Sequence, residues 1–84
     1  MVTKITLSLQ ICDELDTVSA VLVGVAEAND LWPVSVNKFV EVFPYIDKRT
    51  CRYRWEKLAE RGYCVRTQGR NESNQAVVLY ERAS

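Results

Sequence analysis

One stretch constrains the fold more than any other: residues 47–62, which read DKRTCRYRWEKLAERG. Asp47 at its start is a favourable N-cap residue for a helix, and Gly62 at its end accepts the left-handed conformation in which many helices terminate. No proline or glycine interrupts the residues between them. The stretch therefore predicts a helix over residues 47–61.

This helix is predicted to be amphipathic. At 100° per residue its apolar side chains fall on one side, which must face a core. They are Cys51, Trp55 and Leu58, with Ala59 at the edge. The opposite side, its flanks and the leading end carry Lys48, Arg49, Arg52, Tyr53 and Lys57. Because the acids Glu56 and Glu60 come only in the later turns, the first half of the exposed face is positive and the second half is mixed.

The charges are distributed very unevenly along a chain whose formal net charge is zero. Residues 1–47 contain two basic and seven acidic side chains, for a net −5, whereas residues 48–70 contain eight basic and two acidic ones, for a net +6. A local excess of this size favours an anionic partner for the basic segment. The alternative is an ordinary solvated helix of mixed charge.

Length and composition indicate one globular domain, 1–84. The chain has 84 residues, of which 48% are apolar and 26% charged, as is usual for folded domains. It contains no apolar run of about 18 residues and no signal-peptide pattern, so we expect no membrane partner and a cytoplasmic location.

Three widely spaced cysteines without any histidine do not make a zinc site, so we expect reduced, buried thiols and no metal or other cofactor. The cysteines are Cys12, Cys51 and Cys64.

The amino-terminal half predicts a strand or arm followed by a helix. Within residues 1–12, Ile5, Leu7, Leu9 and Ile11 alternate with polar residues, which is the period of a β-strand. A helix would also place Ile5, Leu9 and Cys12 together, so that alternative stays open. From residue 13 to 30, apolar residues recur at spacings of three and four, which predicts a helix capped by Asp13.

The remaining segments complete an α+β pattern. Ser35 can cap a second helix over residues 35–44, which Pro44 would stop. Residues 63–81 contain two β-rich runs around a polar loop, 68–74, and predict a β-hairpin.

The order of helix, short strand, helix, turn, basic helix and hairpin resembles the winged helix-turn-helix family. The run from Ser35 to Arg66 carries the resemblance, above all DKRTCRYRWEKLAERGYCVR, which is similar to the family's basic helix ending in Leu-x-x-x-Gly-aromatic before a strand. Leu58, Gly62 and Tyr63 fill those three positions. The resemblance covers roughly residues 13–82. It implies a three-helix fold with a carboxy-terminal hairpin wing and, here, a possible extra amino-terminal strand.

The resemblance also implies a function and a site. Helix 47–61 would be a recognition helix that reads duplex DNA, and loop 68–74 would be the wing, with Arg70 at its tip and Arg66 at its base. The DNA-binding residues it implies are Lys48, Arg49, Arg52, Tyr53, Lys57, Arg66 and Arg70. So short a chain is similar to the small regulators and excision factors of phages and mobile elements, and a homodimer or cooperative oligomer on DNA is expected.

Two other classes of function remain. Catalysis is disfavoured because the chain offers no histidine base and no glycine-rich phosphate loop, so we expect no enzyme. The stronger alternative is a winged-helix module or inhibitor that has lost DNA binding and holds a protein partner. The acidic segment 13–47 and the alternating amino terminus would suit that use.

Overall fold

A computed structural model describes residues 5–83, which fold into four helices and one two-stranded antiparallel sheet. In chain order the elements are α1 (Leu9–Glu14), α2 (Thr17–Ala28), α3 (Val36–Val42), α4 (Lys48–Glu60), β1 (Cys64–Arg70) and β2 (Ala76–Arg82). The predicted α+β class is confirmed, and the layout of α2, α3, α4 and the hairpin is compatible with a winged helix. Within residues 5–83, no helix has both the length and the apolar character needed to cross a bilayer.

The prediction of an amino-terminal strand is wrong for the described residues. Residues 5–8 have no regular structure and residues 9–14 form α1, while residues 1–4 of the predicted segment lie outside the described range. Ser8 begins α1 by accepting a hydrogen bond from the backbone N–H of Ile11 at 3.3 Å. The alternating pattern does not correspond to one buried face, because Ile11 is buried whereas Leu9 is 78% exposed. In addition, no described strand lies alongside this segment to pair with it.

The predicted helix 13–30 is in fact two helices separated by a break. Asp16 is extended, with φ −168° and ψ 172°, and caps α2 by accepting a hydrogen bond from the backbone N–H of Ser19 at 2.7 Å. The predicted cap, Asp13, instead lies inside α1. Over residues 5–83 the domain therefore has four helices instead of the three expected. The extra helix arises because Asp16, not Asp13, caps the apolar run of α2.

The core is assembled around Trp55 of α4. Its side chain is fully buried, and its ring contacts Trp32, Phe39 and Tyr80 at centroid distances of 5.6, 5.7 and 5.8 Å. Cys51 and Leu58 are fully buried on the same face, as the spacing predicted. Trp55 thus joins the 31–34 connector, α3 and β2 in one aromatic cluster, which fixes the direction in which the other face of α4 points.

The ends of α4 are those that the sequence predicted. Asp47 occupies the N-cap position. Gly62 has φ 83°, its N–H donates to the carbonyl of Ala59, and the N–H of Tyr63 donates to the carbonyl of Leu58. These two hydrogen bonds define a Schellman motif, in which the residue with positive φ closes the helix.

The hairpin is regular, and its loop is shorter than predicted. β1 and β2 pair in a register that sets Arg66 opposite Tyr80 and Arg70 opposite Ala76, so the loop spans only 71–75 rather than 68–74. Asn71 shapes it: the side-chain oxygen accepts from the N–H groups of Ser73 and Gln75 at 3.0 and 2.9 Å. This Asx-type bonding ends the strands at Arg70 and Ala76, an effect that composition alone did not locate.

A single β-bridge attaches the connector between α2 and α3 to the hairpin. Val34 exchanges two backbone hydrogen bonds with Tyr80, at 2.7 and 3.0 Å. The short strand expected between the first two helices is therefore one bridging residue. It places the start of α3 beside β2. Ser35 occupies the N-cap position of α3 as predicted, but its side chain makes no capping hydrogen bond.

Candidate nucleic-acid interface

The leading turns of α4 carry the least compensated basic side chains of the candidate site. Lys48, Arg49 and Arg52 are all exposed. Among residues 5–83, no carboxylate oxygen lies within 4.0 Å of the charged nitrogens of these three residues. Because the buried face of α4 is fixed by Trp55, these three cations are held together on the outer surface and are available to an external anion.

Tyr53 lies beside this cluster and is the exposed aromatic residue of α4. Its side chain is 55% exposed. The guanidinium of Arg54 and the ammonium of Lys57 approach its ring at 5.7 and 5.5 Å from the centroid. Cations at this distance restrict the ring and leave the hydroxyl available for a hydrogen bond to a ligand.

The second half of α4 is electrostatically compensated. Lys57 lies 3.8 Å from Glu60, one turn further along. Arg54 forms an ion pair with Asp16, the cap of α2. The pKa of Asp16 is lowered, since hydrogen bonds from Ser19 and the charge of Arg54 outweigh the opposing effect of burial. This flank joins α4 to α2, and Lys57 therefore offers less free charge than the leading turns.

The predicted wing residues occupy two different environments. Arg66, in the middle of the β1 edge facing α4, donates from Nε to Glu56 Oε2 at 2.9 Å, so its charge is partly neutralised. Arg70 is the last residue of β1 rather than a loop-tip residue, and its Nη1 donates to the carbonyl of Asn74 at 2.9 Å. Among residues 5–83 Arg70 forms no ion pair, and the bond to Asn74 holds it close to the loop.

Glu56 is a site residue whose role the sequence did not reveal. Its carboxylate accepts hydrogen bonds from the Tyr80 hydroxyl at 2.5 Å and from Arg66. Those hydrogen bonds, with Tyr80 first, lower the pKa of Glu56 although partial burial opposes the change. The sequence showed an acid four residues after Arg52 but contained no signal that β2 would supply a buried hydroxyl to it.

An exposed aromatic residue adjoins the leading end of α4. Tyr45, in the turn before Asp47, is 73% exposed and contacts Phe43 at 5.0 Å between ring centroids. Tyr63, after the end of α4, is half-buried, and its hydroxyl donates to Glu14 at 2.5 Å. Tyr45 lies with Phe43 at a hollow that α2 also lines.

The cysteines and acids do not add a reactive centre to this surface. Cys51 and Cys64 are buried, and burial raises the pKa of each thiol to about 11, while Cys12 is half-buried. Within residues 5–83 there is no group of three or more cysteine, histidine, aspartate or glutamate side chains arranged to hold a metal ion. The chemistry that the surface offers is therefore hydrogen bonding and positive charge.

The structure defines a small α+β domain with a basic helix exposed beside a carboxy-terminal hairpin. No protein-family model, curated protein or solved structure shows significant similarity to the chain. The fold and the arrangement of side chains on α4 and the hairpin are accordingly the basis on which a function is proposed.

Proposed function

We propose that this protein is a duplex-DNA-binding regulator or accessory factor with a winged helix-turn-helix fold. The leading half of α4 enters the major groove, and the hairpin acts as the wing beside it. The observation that carries the proposal is the exposed cluster of Lys48, Arg49 and Arg52, none of which forms an ion pair within 4.0 Å among residues 5–83, at one end of a helix whose opposite face is locked into the core. Positive charge at this position is what phosphates and guanine edges require.

The dimensions of the cluster suit a groove. An α-helix with its side chains is about 10–12 Å across, which fits the roughly 12 Å width of the major groove, and residues 48–53 form about 9 Å of its length. The acids of α4 follow this segment, so the tip meets the duplex before they do. Arginine can bond O6 and N7 of guanine together, whereas lysine and tyrosine reach phosphates. We assign Arg49 and Arg52 to the bases or phosphates at the groove and Tyr53 to a phosphate.

The hairpin supplies a second candidate contact. Arg70 is exposed next to an ordered loop, and a wing arginine of this kind can enter a minor groove or bind a phosphate. One such module offers a small interface with DNA, so we propose that two or more copies bind together. Sedimentation of the protein with and without a duplex tests that part, because a protein that remains strictly one per duplex at saturation contradicts it.

The proposed site is tested by removing positive charge from the leading turns of α4. Arg49→Ala and Arg52→Ala are each expected to weaken duplex binding by about 1–3 kcal/mol, as measured by fluorescence anisotropy, without unfolding the domain. Arg61→Ala is the matched control, because Arg61 is also exposed but lies at the other end of the helix. Wild-type affinity in a folded double variant at Arg49 and Arg52 would contradict the proposed site.

A second candidate function is a protein-interaction module that does not bind DNA. The observation in its favour is an apolar hollow of about 470 Å³ between α2 and the 43–46 turn. Val18 and Tyr45 at its border are 41% and 73% exposed. A second copy of this chain is the occupant we consider, since the same contact would pair two modules. Negligible duplex binding at low salt, together with self-association lost in Val18→Asp, would favour this function over the first.

A further inference from the structure

A groove separates the basic helix from the hairpin, and both sides contribute charge to it. The cavity has a volume of about 350 Å³ and lies between α4, the start of α3 and β2. Arg52 and Glu56 line it from α4, Arg66 from β1 and Tyr80 from β2. Two guanidinium groups therefore border one carboxylate at the place where the proposed recognition helix meets the proposed wing.

The carboxylate is held rigidly from the hairpin side. The donor is the hydroxyl of Tyr80, whose side chain is 1% exposed, stacks on Trp55 at an interplanar angle of 25°, and belongs to the residue that bridges to Val34. Burial, followed by the bond to Glu56, raises the pKa of Tyr80 far above its ordinary value, so the hydroxyl keeps its proton and remains a donor. Glu56 consequently stays in place whether or not Arg66 bonds to it.

Arg66 is the partner of Glu56 that can leave the carboxylate for another anion. Its Nε and the Tyr80 hydroxyl bond to the same oxygen, Oε2 of Glu56. The arginine side chain is 51% exposed, and among the described residues its two terminal amino groups make no hydrogen bond. An ion pair as exposed as this one contributes little to stability, and guanidinium pairs readily with phosphate. A phosphate at the mouth of the groove can therefore compete with Glu56 for this side chain.

We infer, building on the proposed DNA-binding function, that Glu56 is a positioning residue that competes with DNA phosphate for Arg66. In the free protein the carboxylate keeps Arg66 beside α4 and offsets its charge. When Arg66 binds a phosphate of the duplex, its ion pair with Glu56 must break, or Arg66 must bond to both groups at once. Glu56 thereby lowers the affinity that the basic surface would otherwise have for any duplex, while it aligns the wing with the helix.

The test measures the affinity for a random-sequence duplex against salt concentration in four proteins: wild type, Glu56→Gln, Arg66→Ala and the double variant. Glutamine can still accept the Tyr80 hydroxyl but carries no charge, so Glu56→Gln frees Arg66. We expect up to about fivefold tighter binding at low salt. We also expect a salt slope steeper by about 0.9, the value of one further phosphate contact.

The double-variant cycle separates the charge effect from a structural one. Arg66→Ala should reduce the salt slope by about 0.9 in the Glu56→Gln background and by less in the wild type. Tyr80→Phe removes the hydroxyl that bonds to Glu56, so it should lower the thermal stability. Because it keeps the charges of Glu56 and Arg66, it should leave the salt slope unchanged. The inference is overturned if Arg66→Ala has the same effect in both backgrounds, or if Glu56→Gln binds more weakly than wild type. Absence of wild-type binding at every salt concentration would instead contradict the proposed function itself.

Discussion

Replacing Trp55 by alanine tests whether α4 is oriented by its buried indole. The side chain is fully buried and contacts three other aromatic rings at 5.6–5.8 Å. Truncation of a core aromatic costs about 3–5 kcal/mol, because apolar burial is lost and the cavity closes only in part. The buried indole N–H makes no hydrogen bond to oxygen or nitrogen among the described residues and has at most a weak interaction with the Cys51 thiol. The expected cost therefore comes mainly from packing.

That cost is large for a domain of this size. At about 0.05–0.15 kcal/mol per residue, a chain of 84 residues has a total stability of roughly 4–13 kcal/mol. Trp55→Ala should therefore remove a large part of the stability, measured by urea unfolding with circular dichroism. Trp55→Phe should lose less, and Arg49→Ala, at an exposed position of the same helix, should stay within about 0.5 kcal/mol of wild type. A Trp55→Ala protein with an unchanged urea midpoint would refute this account of the core.

Three further predictions concern local structure and pH. Gly62→Ala should destabilise the domain by about 1–2 kcal/mol in thermal or urea unfolding, because the backbone there has a φ of 83°; an unchanged stability would contradict the Schellman ending of α4. Asp16→Ala should cost about 0.5–2 kcal/mol through loss of the α2 cap, and Asp16→Asn should recover part of it; equal losses in both would show that the ion pair with Arg54 dominates. The pKa of Glu56 is lowered in the fold below the ordinary value of 4.5, so its stabilising effect is complete above that pH and is lost as the pH falls through the folded pKa. Acid unfolding of Glu56→Gln should accordingly depend less on pH below about 4.5 than that of wild type, and parallel curves would contradict the role of the carboxylate.

The sequence predicted best where local signals and packing agree. In α4, the cap at Asp47, the glycine at the end and the buried face around Trp55 were all readable, because each follows from spacing or from a residue's own conformational preference. The hairpin and α3 were found for the same reason. These elements also determine which face of α4 points outward, so the exposed residues of that face could be predicted from the sequence.

The sequence failed where two local patterns competed. Residues 5–11 alternate in polarity like a strand. Residues 5–8 nevertheless have no regular structure and residues 9–11 lie in α1, since no described strand offers an edge for pairing. In the same way, Asp13 and Asp16 are both good caps, and only the packing of the following helix selects Asp16. Spacing alone cannot decide between such alternatives, because the deciding contacts come from distant parts of the chain.

The charge state of the site was likewise beyond sequence reasoning. Glu56 meets Arg66 across 10 positions and Tyr80 across 24, and Arg54 meets Asp16 across 38. These pairs reduce the free charge of Arg66 and Arg54 and leave it at the leading turns of α4. Net charge along the chain identified a basic segment, but only the tertiary contacts show which of its side chains remain available.

The most direct test of the central claim is the affinity of the wild-type protein for a random-sequence duplex, measured by gel shift at two or more salt concentrations. Binding through Lys48, Arg49 and Arg52, with up to two further phosphate contacts from Arg66 and Arg70, predicts that the logarithm of the association constant falls against the logarithm of salt concentration with a slope between about −2.7 and −4.5. A protein that shows no duplex binding even at low salt, or binding that is indifferent to salt, would contradict the account.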